Sequence, residues 1–155
     1  MPGLSDSVDL GDGRRASCEA IGHGPPVVYF VGGPGYSAAL LRHDAELLAD
    51  RFAVYLIDPA GSGGSTSPRD LAEYDHLGHA RFYHEVADAL DIHSAIVMGH
   101  SFGGIVALTY AALFPEATTR CVSVASRVRQ TPSATRSPHS PADQPCPAMR
   151  DIRQS

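Results

Sequence analysis

The chain has 155 residues, 43% apolar and 19% charged, which indicates neither wholesale disorder nor a membrane protein and leaves room for one domain with a core of its own. A net charge of −5, with the acidic excess in residues 1–126, argues against nucleic acid as a partner. No apolar run approaches the roughly 18 residues needed to cross a bilayer, which argues against a membrane partner too.

All 12 basic residues are Arg, a compositional bias that carries no mechanism. The three cysteines, Cys18, Cys121 and Cys146, are odd in number and share no CxxC or metal-ligand spacing. A disulfide framework and a zinc site therefore have little support, and a reducing compartment fits. The N-terminal MPGLSDSVDL lacks the basic flank and apolar block of a signal peptide, so the expected location is cytoplasmic.

Taken in chain order, SVDLGDGRRASCEAIG places Asp12-Gly13 between two partly alternating runs, the chemistry of an antiparallel hairpin. Residues 27–31, VVYFV, form a continuous β-branched and aromatic run, as in a strand covered on both faces. Residues 37–49 set Leu40, Leu41, Leu47 and Leu48 at helical spacings behind Ser37 as cap. FAVYLI, 52–57, reads as a second buried strand. The Gly/Ser/Pro-rich 58–68 must be loop, and 77–92 repeats Leu77, Ala80, Val86, Ala87 and Leu90 as an amphipathic helix. AIVM, 95–98, is a third strand, 102–113 an apolar helix stopped by Pro115, and CVSVA, 121–125, a fourth buried strand.

Strands alternating with helices predict an α/β fold: a mostly parallel sheet with helices on both faces. From Arg127 the composition changes to a Pro/Ser/Arg-rich segment without aromatic residues or apolar period. The domain division is thus 1–126 for the folded part and 127–155 for a tail, read either as disordered or as a frameshift product standing where the remainder of a larger domain belongs. The second reading is preferred, because a buried parallel strand wants a neighbour on its far side.

GHSFGG, residues 99–104, satisfies GxSxG with Gly99, Ser101 and Gly103, between a buried strand and a helix. At a strand-to-helix turn this sharp the serine is strained and side chains at the flanking glycines would collide; the turn lifts the hydroxyl out at the sheet's edge. The plainer alternative is a helix start with an N-capping serine. VGGPG, 31–35, ends the first central strand, where a glycine loop can aim N–H groups at a substrate oxygen. In such an architecture the oxyanion donors are the N–H after the serine, Phe102, and one from this loop, Gly33. The plainer alternative there is a Gly-Pro turn.

In this order and spacing, VGGPG, DPAGSGGST (58–66) and GHSFGG resemble the α/β-hydrolase family, and within it the proline iminopeptidase-like branch with its HGGPG and D-x-R-G-x-G-x-S loops. The resemblance covers residues 8 to about 125, the N-terminal portion of such a domain, truncated after the strand that follows the nucleophile helix. It implies a serine hydrolase of ester or amide bonds, most like an enzyme removing N-terminal residues from peptides, with a small ester or lactone as the close alternative substrate, no cofactor and no metal. Ser101 is the implied nucleophile and Asp58 a structural residue. Val31 stands where the branch has His and Ala60 where it has Arg, so both loops are expected to be less firmly held.

The family's order is nucleophile, acid, histidine. Downstream of Ser101 the acids after the last strand are Asp143 and Asp151 and the histidine is His139, which precedes both. The triad acid and histidine are therefore not found, and the substrate-recognising cap of the family is absent. His100 is read as packing, and His76, His79 and His84 as a solvated helix face rather than a metal set. The chain is expected to be weakly active or inactive as given; the rival expectation is a non-catalytic truncated fold or gene remnant. Oligomeric state is not legible.

Overall fold

The computed structural model of the protein describes residues 5–33 and 35–126. Segment 127–155, with His139, Asp143 and Asp151, lies outside the described residues, as does the expectation about that tail.

Six strands form one sheet in the order β1-β2-β4-β3-β5-β6. β1 (Ser5–Asp9) and β2 (Arg15–Gly22) make the expected hairpin, with Val8 opposite Ala16. Its turn is tied by the Asp9 carboxylate, which accepts the Gly11 N–H at 2.9 Å, and by Asp12, which accepts the Arg14 N–H at 3.0 Å. β2 runs antiparallel to β4 (Ala53–Ile57), whereas β4, β3 (Pro26–Phe30), β5 (Ala95–His100) and β6 (Thr118–Val124) are mutually parallel.

The pleat divides the apolar side chains between two cores. Val28, Phe30 and Val97 face one layer, filled by Tyr83 and Val86 of α2 (His76–Ala89) and Val106 and Tyr110 of α3 (Phe102–Leu113). Val27, Tyr29, Val54 and Leu56 face the other, under α1 (Arg42–Leu48) and the short 3-10 helix Ala38–Leu41 that precedes it. Covering both faces explains the unbroken apolar run at 27–31.

Three expectations need correction. The single helix over 37–49 is a 3-10 turn followed by α1, because the Asp58 carboxylate takes both the Ser37 hydroxyl (2.7 Å) and the Ala38 N–H (2.8 Å) and fixes that first turn. Its buried stripe is Ala38, Leu41, Ala45 and partly Leu48, while Leu40 and Leu47 face solvent. The strand expected as buried at 121–125 is β6, and every residue of it after Thr118 is exposed. Among the described residues it pairs with β5 alone, so its apolar residues there mark a sheet edge rather than a core. Finally, His79 is not on a solvated helix face: it points inward from α2 and is 3% exposed.

Candidate active site

Where β5 gives way to α3, Ser101 adopts φ 56°, ψ −121°. A non-glycine residue there costs about 1–3 kcal/mol and persists only where its surroundings impose it. They do so here. The Ser101 N–H donates to the Val124 carbonyl at 2.9 Å, and the Ser101 carbonyl accepts from the Ser126 hydroxyl at 2.8 Å and the Gly104 N–H at 3.1 Å. A side chain at Gly103 would run into the carbonyls of Phe30 and Val31, so only glycine lets α3 start this close to β3. The Ser101 side chain is exposed and makes no capping hydrogen bond, which removes the N-cap alternative.

Phe102 opens α3, so its N–H has no carbonyl of its own helix to reach and lies at the helix's positive end. The loop after β3 comes against the same turn: a Cβ on Gly32 would stand 2.6 Å from the His100 carbonyl oxygen and 3.4 Å from Ser101 Cβ. Gly33 follows with φ +81°, a left-handed conformation that favours glycine. Gly33 and Phe102 border one small cavity whose other walls include Val31, Tyr83 and Val106. Its open volume of about 10 Å³ is near the minimum for a single water. The structure thus brings Ser101, Gly33 and Phe102 to one end of the sheet.

Asp58 is 8% exposed and fully engaged: one oxygen holds Ser37 and Ala38, and the other accepts the Gly64 N–H at 2.9 Å. The Ser65 hydroxyl donates to its carbonyl at 2.7 Å. It therefore clamps the loop after β3 to the loop after β4, a structural commitment of both carboxylate oxygens. His84 stacks on Phe114 with ring centroids 3.8 Å apart and meets the Tyr110 hydroxyl at 3.2 Å, a packing role. Among the described residues no cluster of His, Cys, Asp and Glu could hold a metal ion, and no helix is long and apolar enough to cross a membrane. A larger hollow of about 370 Å³ beside α2 is lined by Arg14, Arg69, Arg81 and Glu85, but its charges answer one another, with Arg14 2.7 Å from Glu85. Size does not outrank chemistry here.

Two contributors escaped the sequence reading. Ser126 supports the strained turn from beyond β6, a tertiary contact with no local signal. His79 lines the small cavity, and its spacing to Phe82, Tyr83 and Val86 put it on the buried stripe of α2, a signal that was present. Burial pushes the His79 imidazole below its ordinary 6.5, against a weaker upward pull from Asp75.

A family model described as alpha/beta hydrolase fold matches residues 25–151. The chain is 35% identical over 106 residues to 1-acylglycerol-3-phosphate O-acyltransferase of Arabidopsis thaliana, covering 66% of this chain and 25% of that protein. To proline iminopeptidase of Aeromonas sobria it is 34% identical over 112 residues, covering 59% and 26%. A structure of a variant of the meta-cleavage product hydrolase from Pseudomonas fluorescens IP01 superposes with a TM-score of 0.71 at 29% identity, covering 79% of this chain and 45% of that one. The chain thus spans about a quarter of these two curated relatives and under half of that structure.

Proposed function

The chain belongs to the alpha/beta hydrolase fold family, and on that premise we propose that it carries the nucleophile and oxyanion half of a serine hydrolase acting on ester or amide bonds. The observation that carries the reading is Ser101 itself: strained, exposed, uncapped, and imposed by its neighbours at the start of α3. In this reading the Ser101 hydroxyl oxygen attacks the substrate carbonyl carbon, and the carbonyl oxygen becomes the oxyanion. The N–H groups of Gly33 and Phe102 take up that charge. The C–O or C–N bond to the leaving group then breaks, and water releases the acyl group from Ser101 in a second passage through the same hole.

The serine proton needs a base. Asp58 is committed to its loops, and His84 to Phe114 and Tyr110. We read the chain by itself as slow, in the regime where an oxyanion hole without a full triad leaves about 10³–10⁴-fold over water. The substrate reading most like the branch motifs is an N-terminal residue of a peptide; a small ester or lactone is the alternative.

Acyl transfer to Ser101 is tested by incubation with p-nitrophenyl acetate and mass mapping. Because the chain has no Lys, the commonest bystander amine is absent. One acetyl group on the Ser101 peptide, missing in Ser101→Ala, is the expected result. Acetylation that is the same in both proteins overturns the reading.

A further inference from the structure

GHSFGG carries one glycine more than GxSxG requires, and the structure shows what Gly104 makes room for. A Cβ there would overlap the Ser126 hydroxyl oxygen and stand 2.7 Å from that of Ser123. With no side chain in the way, Ser123 donates to the Gly104 carbonyl at 3.2 Å and Ser126 to the Ser101 carbonyl at 2.8 Å. The other acceptor near the Ser126 hydroxyl, the Val124 carbonyl, is farther away at 3.2 Å. Ala125, between Val124 and Ser126, has φ 52°, a left-handed conformation that a non-glycine residue keeps only where its surroundings impose it.

The bond to the Ser101 carbonyl bears on more than the serine. A peptide unit is planar, and in the trans form its C=O and N–H point in opposite directions. No peptide bond among the described residues is cis, so whatever fixes the Ser101 carbonyl also fixes the direction of the Phe102 N–H. Two soft rotations, ψ of Ser101 and φ of Phe102, would otherwise let this unit swing. Ser101 lies outside helical geometry at φ 56°, ψ −121°, so regular helix geometry does not restrain the plane from that side. The bonds to this carbonyl from within α3 are longer, from the Gly104 N–H at 3.1 Å and the Ile105 N–H at 3.3 Å. Ser126 makes the shortest of the three, and it comes from beyond β6.

We propose that Ser126 is a positioning residue for the oxyanion hole: its hydroxyl, admitted by the bare Gly104 Cα, holds the 101–102 peptide plane and thereby aims the Phe102 N–H. The proposal rests on the hydrolase reading, which makes that N–H a donor to the developing oxyanion. Such donors work because they are aimed in advance, so a plane free to swing gives up part of what the donor contributes. The end of β6 then belongs to the active site, although it acts only through Ser101 and Phe102.

The direction of an N–H bond is read from its ¹⁵N–¹H residual dipolar coupling, which requires no turnover. In Ser126→Ala the Phe102 coupling is expected to leave its wild-type value, while those of Val106 and Ala107 within α3 keep theirs. Acetylation of Ser101 by p-nitrophenyl acetate is expected to slow at least about tenfold, short of the roughly 100-fold typical of losing a donor outright. Ser126→Thr, which keeps the hydroxyl, is expected to restore both the coupling and the rate. A contribution to stability alone would leave the Phe102 coupling where it was. The change removes one oxygen from a partly exposed side chain, so the fold survives it. An unchanged Phe102 coupling in Ser126→Ala, or a changed coupling with an undiminished rate, would overturn the proposal. If Ser101 is not acetylated even in the wild-type chain, the hydrolase reading fails, and the Phe102 coupling still decides whether Ser126 orients the plane.

Discussion

β5 and β6 are neighbouring parallel strands, AIVMGH and TTRCVSV, that live under opposite conditions. Val97 in β5 is 0% exposed, with β3 on one side, β6 on the other and helices across the sheet's faces. Val122, one register position along in β6, is 42% exposed. Neighbours and composition agree: β6 carries Thr118, Thr119, Arg120 and Ser123, whereas β5 opens on Ala95, Ile96, Val97 and Met98. The difference also maps onto chemistry. The enclosed strands β3 and β5 lead into the turns that hold Ser101, Gly33 and Phe102, the residues of the proposed site, whereas the open edge supplies the Val124 carbonyl and, just past it, the Ser126 hydroxyl as props for the turn.

Gly103→Val is the severest way to break the enclosed side. Its side chain must displace the Phe30 and Val31 carbonyls, and a loss of about 3 kcal/mol or more in urea unfolding is expected, enough to prevent folding in a marginal domain. Next comes the matched pair Val97→Ala and Val122→Ala. The first removes two buried methyl groups and leaves a cavity, costing about 2–3 kcal/mol; the second stays within about 0.5 kcal/mol. Equal costs would mean that β6 is covered in solution and that the contrast between the strands is false.

The smallest effect concerns pH. Burial lowers the folded-state pKa of His79 below its ordinary 6.5, so below that pH the unfolded chain binds the proton more readily than the folded one. Stability therefore falls as pH drops from about 6.5 toward the folded value. This slope, at most about 1.4 kcal/mol per pH unit for one proton, should vanish in His79→Leu. An unchanged slope in the variant would place the titration elsewhere.

Much of the enclosed side was legible in the sequence. The run at 27–31, the helix at 102–113 and the glycines around Ser101 carry local steric information, so strand, turn and helix followed from residue type alone. The burial of β6 did not follow, because CVSVA reads alike whether one side or both are paired. The inward turn of His79 was hidden by reading histidine as polar before reading its place in the stripe with Phe82, Tyr83 and Val86. Ser126 could not be anticipated, since its hydrogen bond to the Ser101 carbonyl joins residues 25 apart. The clamp at Asp58 was foreseen as structural, though not its grip on Ser37 and Ala38 that shortens the following helix.

In the proposed reading Ser101 is a nucleophile with oxyanion donors, and the described Asp58 and His84 are committed to structural contacts rather than to its proton. Free imidazole can act as a general base toward Ser101, so the direct measurement is release of p-nitrophenolate from p-nitrophenyl acetate with and without imidazole, by the wild-type chain and Ser101→Ala. The account predicts slow release by the wild-type chain alone and a rise with imidazole beyond the reaction of imidazole in buffer, with Ser101→Ala showing only the buffer rate. Fast turnover without imidazole, or the same imidazole response in both proteins, would contradict it.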